Sequence, residues 1–544
     1  MSSSFITSAT NCFPSNFLFG ATVSSLHVPG VSVLETTDFC HAPSKLRLDN
    51  ELFESMQQMS DMRLSNFHFS ITWSRVMQWD HESERMVSNP SGVAHYHSLL
   101  DHLQANKLQV LVTLDSFHLP LKLQTHWDRT GWQNPDIVTH IDDFMTLAFQ
   151  EYGQKVKYWA TFHDPLSFIT HDYGSCGAIL KPNETSAYII AHNVLRAHAR
   201  AVALFRDFKH SENSVIDTDA RIGIELSAEY GRSPSQLNVS NLAAIERKMQ
   251  FDLGWFWMPL VSGDYPEIMR HRVGERLPRF TPEESVLVKG SYDILLLKPQ
   301  PSREVIDCDI KSSEGLCREL PPGHTRDRGI DSRALASELE CFTLADDYLA
   351  SIRWLHTKDV NAEILLTGNW WEDDRLSNGK QLWCYQAYVK QVHNAVVKEQ
   401  IPILGFMALP FLKDSDCGTY SSRVDLHYRN DMDESSFEHA CLHLSKYFAK
   451  LATTKCMTAE LIIEPIQVTL KNQNETGASR DNAFASDASN DGKMKVPWSL
   501  GEVMLLVVVG LIVLSAITCE AIRELHQTSR GSFEELRVLV TIEE

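Results

Sequence analysis

Basic charge is in short supply in this chain. Fifty Lys and Arg face seventy Asp and Glu over 544 residues, a formal net charge of −20. That balance excludes a general nucleic-acid-binding face and supplies no broad basic surface for anionic lipid. The eleven cysteines lack any C-x-x-C pairing, so neither a zinc nor a redox motif is supported, and no metal or other cofactor is expected. Disulfides, such as one within the Cys308 to Cys341 stretch, fit the scatter but are not assignable from it. Residues 1–11 lack both a basic start and an apolar run of signal-peptide length. A lumenal or extracellular domain needs such a leader, so the expectation is that the true start lies upstream, with another domain before this one, or that the membrane span alone delivers the chain.

What is present bounds the class. A chain with 43% hydrophobic and 22% charged residues can bury a barrel-sized core and is not disordered. Residues 503–519 hold no charge and are dominated by Val, Leu and Ile. At 1.5 Å per residue they span about 25 Å, the short end for a membrane helix, and Trp498 extends the run toward one interface. A buried core helix is the competing reading. It fits less well because residues 472–491 are a polar Gly/Ser/Asn/Asp-rich stretch of stalk-like composition. The sequons at Asn183, Asn238 and Asn474 all precede the span, which orients the chain with its bulk lumenal or extracellular. Arg523, Arg530 and Arg537, mixed with six glutamates, add little to that orientation. The expected layout is an N-terminal segment (1–12), a barrel domain (13–455), a stalk (456–498), a transmembrane helix (499–521) and a cytoplasmic tail (522–544).

Within the bulk of the chain, helical and strand-like periodicities alternate. Leu52 to Met62 has apolar residues at helical spacing, and Phe67 to Arg75 reads as a strand. His95 to Leu103 is helical, Val110 to Leu114 a strand, and Ile137 to Tyr152 an amphipathic helix. Val156 to Phe162 is then a nearly continuous apolar strand, of the kind a parallel sheet buries on both faces. This alternation predicts an α/β fold with a parallel sheet, and the domain length favours a closed (β/α)8 TIM barrel. The strand ending at Phe162 runs into His163, Asp164 and Pro165, placing an acid at the carboxyl end, where barrels carry their sites. An Asp that merely begins a turn is the plainer reading of Asp164.

Several motifs resemble glycoside hydrolase family 1, the retaining β-glucosidases. They include F-P-x-x-F-x-x-G-A from Phe13, F-S-I-T-W-S-R from Phe69, Gly131-Trp132, Lys157-Tyr158-Trp159, H-N-x-x-x-A-H-A from His192, and G-W-F from Gly254 with G-D-Y-P from Gly263. The resemblance runs in order from Phe13 to about Leu451 and implies a sugar pocket at the carboxyl ends of the barrel strands. Retaining glycosidases need two carboxyl groups roughly 5 Å apart, one to protonate the leaving group and one to attack. Here Asp164 stands where the family has its acid/base Glu, and Gly368 where it has its nucleophile. Glu372, Asp373 and Asp374 follow Gly368 in a polar run that reads as a solvated loop.

The sugar-contacting positions implied by the resemblance also differ. His27 replaces a Gln, His68 an Arg, and Ser116, Phe117 and His118 a His-Trp-Asp triplet. His163 replaces an Asn, Lys298-Pro299-Gln300 an Asn-Tyr-Tyr, and Asp416 lies where an acid grips hydroxyls. A degenerate pair, an extracellular domain and one span together resemble the klotho group, most closely a second extracellular repeat, with the single-domain lactase-like klotho a near alternative. That likeness implies a catalytically inactive co-receptor whose partners are a fibroblast growth factor and its receptor. A protein ligand, or a glycan, would use a former sugar mouth lined by His27, His68, Ser116, Phe117, His118, His163, Asp164, Trp370 and Asp416. Residual or altered O-glycosyl hydrolase activity, and a lectin-like or chaperone role, are the other two function classes.

Overall fold

A computed structural model describes residues 11–22, 56–57, 59–115, 117, 119–120, 122–123, 131–172, 184–233, 239–309, 317, 320–334, 340–367, 378–408 and 446–457. All belong to the first of two compact units, Met1–Ile466 and Gln467–Glu544. Among the described residues no helix is long and apolar enough to cross a membrane. The span predicted for 499–521 lies outside them.

The described strands are β1 (Leu18–Thr22), β2 (Asn66–Thr72), β3 (Met77–Asp80), β4 (Arg85–Ser88), β5 (Gln109–Asp115), β6 (Tyr158–His163), β7 (Arg221–Arg232), β8 (Ile294–Asp307), β9 (Ile330–Ala334), β10 (Ile364–Leu366) and β11 (Ile403–Ala408). Eight of them run parallel in the order β1-β2-β5-β6-β7-β8-β10-β11, and β11 pairs back onto β1. The sheet therefore closes and leaves no barrel edge unpaired. β3 and β4 form a separate hairpin, and β9 adds antiparallel to the far end of β8.

Strand alternation sorts residues into two layers. Phe67, Phe69 and Ile71 of β2, like Ile222, Ile224 and Leu226 of β7, belong to the large outer core between sheet and helices. Leu111, Tyr158, Ala160, Ile294, Leu296, Leu365 and Met407 form a second, smaller cluster that fills the barrel interior. A Cβ added to Gly223 would lie 1.8 Å from the Ile294 carbonyl oxygen, so β7 and β8 come together there only around a residue without a side chain.

The helices that build the outer layer are α1 (Pro90–Ala105), α2 (Ile137–Tyr152), α3 (Ser186–His210), α4 (Val239–Ser262), α5 (Glu340–Lys358) and α6 (Asn378–His393). Helix α2 buries Ile137, Ile141, Phe144, Ala148 and Phe149 along one stripe. The motif residues do packing work in this layer. Trp73 stacks on Phe144 at 5.4 Å, Trp159 meets Phe149 edge-on, and Asn193 of α3 donates to the Trp132 carbonyl at 2.9 Å. The ends of the barrel chain are tied together by a Cys12–Cys456 disulfide. Beside it the Phe13 N–H donates to the Lys455 carbonyl at 2.7 Å.

Candidate functional site

Along the barrel axis the interior changes character. Above the apolar plug, alternation turns His68 of β2, Thr113 of β5, Glu225 and Ser227 of β7, Lys298 of β8 and Thr367, just past β10, inward, and all six are buried. The carboxyl ends of the strands therefore present a polar layer. In TIM barrels that end holds the site.

Glu225 is the centre of this layer. One carboxylate oxygen accepts from the Thr367 hydroxyl at 2.5 Å, and the other lies 2.7 Å from Nδ1 of His163. The carboxylate is sealed from solvent while the His163 ring is nearly half exposed, 2% against 47%. Burial alone pushes the Glu225 carboxyl up. The His163 charge and hydrogen bond, with smaller help from His68 and Thr367, outweigh it and hold the group well below the usual carboxylate range. His68 is wedged between its neighbours, Nε2 2.8 Å from the Thr113 hydroxyl and Nδ1 3.3 Å from that of Thr22. Burial pushes it down to about 4 against the pull of Glu225, with His163 and Lys298 adding to the depression, so it is neutral at pH 7.

Asp164 is oriented differently from Glu225. It adopts a left-handed backbone, φ 44°, and caps the short helical turn Pro165–Ser167. Its carboxylate accepts from the Ser167 hydroxyl at 2.8 Å, the Ser167 N–H at 3.3 Å and the Ser227 hydroxyl at 2.5 Å. Both oxygens are thus engaged by the protein itself, and the turn-initiating role is realised. Phe117 is also committed. It stacks on Phe168 at 4.1 Å and packs against Phe162 and Trp132, so it belongs to the packing around a motif residue rather than standing free in the mouth.

Of the residues singled out in the sequence, the fold brings His68, His163 and Asp164 to one end of the barrel, with Phe117 in the aromatic cluster that includes Phe162 of β6. His27, Ser116, His118, Gly368, Trp370, Asp416 and the sequon residues Asn183, Asn238 and Asn474 lie outside the described residues. Among the described residues no group of His, Cys, Asp or Glu is placed to hold a metal ion. The sequence reading does not single out Glu225 or Thr367. The signal was available in I-G-I-E-L-S-A, where Gly223, Glu225 and Ser227 alternate with Ile and Leu.

Comparison with known proteins fits this geometry. The Glycosyl hydrolase family 1 profile matches residues 9–457. The chain belongs to glycosyl hydrolase family 1. Among its family 1 relatives, probable inactive beta-glucosidase 25 of Arabidopsis thaliana is 27% identical over 462 residues, covering 76% of this chain and 85% of that protein. Beta-glucosidase 31 of the same plant is 26% identical, covering 76% and 84%. Solved family 1 folds superpose on it: a rice β-glucosidase with TM-score 0.62 at 24% identity, over 73% of this chain and 90% of that one, and aphid myrosinase with 0.61 at 24%, over 73% and 89%. Relatives named as β-glucosidases and one named as probably inactive thus share this barrel, and family 1 membership does not by itself carry activity.

Proposed function

We propose that this chain is a glycosidase-family barrel that no longer hydrolyses glycosides and acts as a klotho-type co-receptor, binding a protein ligand at the cell surface. The observation that carries the reading is Gly368. A retaining mechanism forms a bond from an enzyme carboxylate to the anomeric carbon, and glycine has no group to form it. The engagement of both Asp164 oxygens by Ser167 and Ser227 supports it, since a general acid must turn its carboxyl toward the leaving group. Disulfides at Cys12–Cys456 and Cys308–Cys317 suit an oxidising compartment, in keeping with a type I membrane topology. By the klotho resemblance the ligand is a fibroblast growth factor and the second partner its receptor. A preformed concave mouth lowers the ordering cost for an extended segment of such a ligand.

The purified chain assayed on aryl β-glucosides and β-galactosides is expected to show turnover no higher than its Asp164→Ala variant. Turnover that disappears in the variant would overturn the inactive reading. Capture of the growth factor by cells displaying the chain tests the other half.

A further inference from the structure

The position of Glu225 carries a consequence for what the mouth admits. Its carboxylate touches groups from β6 and the end of β10, and lies within electrostatic reach of His68 on β2. Around the barrel, β10 is two strands from β7 in one direction and β2 three strands in the other. A side chain that hydrogen-bonds to β6 on one side and, past β8, to the end of β10 on the other reaches across the barrel interior instead of lying against one wall. In register Glu225 pairs with Leu296, which pairs in turn with Leu365, so its carboxylate borders the apolar plug to which those two residues belong.

We infer that Glu225 is a built-in stopper: together with His163 it fills the floor of the barrel mouth, excludes a pyranose ring from that depth, and leaves only the shallower mouth for a ligand. The floor is occupied in volume and in hydrogen bonding. One Glu225 oxygen is held by Thr367 and the other by His163, so each keeps at most one further acceptor site, and that site is enclosed with the buried carboxylate. Displacing His163 would leave a fully buried charge without its partner, a costly arrangement in a low-dielectric interior. The ligand instead meets the exposed edge of the His163 ring, whose Nδ1 is fixed by Glu225. Family membership underlies this assignment, because it makes sugars the relevant ligands to exclude. The co-receptor reading is not required.

The test is titration calorimetry of the full chain with methyl β-D-thioglucoside and methyl β-D-thiogalactoside, which resist hydrolysis. The unmodified chain is expected to show no saturable binding up to tens of millimolar. Glu225→Ser, which empties the floor, should gain at least tenfold in affinity, whereas Glu225→Gln, which keeps the volume, should gain nothing. Equal affinity in the unmodified chain and Glu225→Ser would overturn the stopper, as would affinity lost in Glu225→Ser. Should the serine variant fail to fold, crystals of the unmodified chain soaked in the same glycosides decide: a ring in contact with Glu225 refutes the proposal, and a floor without one supports it. Failure to capture a protein ligand, with glycosides still excluded, would count against the co-receptor reading alone.

Discussion

Two fully buried carboxylates, Asp252 and Glu225, keep very different company. Asp252, on α4, accepts from Lys248 at 2.8 Å and from Arg328 at 2.8 and 2.9 Å, with His324 3.6 Å away. Lys248 is itself inaccessible and also donates to the Glu229 carbonyl at 2.7 Å. Burial pushes the Asp252 carboxyl up, and the charges of Arg328 and Lys248 hold it well below the usual range. Among the described residues Glu225 has one ionisable hydrogen-bonding partner, and that partner's ring is nearly half exposed. A charge enclosed on all sides by opposite charge is scaffold. One whose partner faces the mouth is positioned to meet a ligand, and the difference follows from where each sits relative to the barrel wall.

Acidification should blur this contrast most. His68, His192, His198 and His324 are each pushed down to about 4 by burial. With an unfolded value of 6.5, each takes up its proton more readily in the unfolded chain. Its contribution is therefore complete above about pH 6.5 and is lost as pH falls toward 4, up to about 3 kcal/mol per group. Glu225 and Asp252 add losses of the same sign below their unfolded values of 4.5 and 3.8. Melting temperature followed from pH 7.5 to 4.5 should fall steeply below 6.5. A flat profile would contradict the burial of these imidazoles.

Next in size is Asp252→Ala, which leaves Lys248 and Arg328 without their shared anion. A loss of about 3–5 kcal/mol is expected in denaturant titration, with partial rescue in Asp252→Asn. The smallest effect belongs to Glu225→Gln. An amide can keep the bond from Thr367, and His163 can turn to water, so a loss of about 1–2 kcal/mol is expected. If the two acids proved equally costly to replace, the division between scaffold and mouth would fail.

Much of the fold was legible because periodicity is a local property. The helix expected at Ile137 to Tyr152 is Ile137–Tyr152, and the strand expected at Val110 to Leu114 is Gln109–Asp115. The strand expected at Phe67 to Arg75 ends earlier, at Thr72, because the next four residues turn into a short helix, Trp73–Val76. The site was less legible because its contacts are not local. Ser227 reaches Asp164 across 63 residues and Thr367 reaches Glu225 across 142, and neither serine nor threonine announces such a role. The family motifs directed attention to Asp164 and Gly368, positions that the resemblance assigns to the catalytic pair. They could not point to Glu225, a carboxylate on the strand after β6, whose end at His163 is followed by Asp164.

The Cys12–Cys456 bond has a mechanical consequence. Tension arriving through the chain beyond Met457 reaches Cys456 and divides there, part entering the helical turns at 446–454 and part crossing the disulfide to the segment leading into β1. The Phe13 to Lys455 hydrogen bond and the Lys455 ammonium on the Phe17 carbonyl, 2.7 Å each, lie alongside that covalent route. Pulling would therefore load the helical turns at 446–454 and the segment leading into β1 together, on the two sides of one covalent bond.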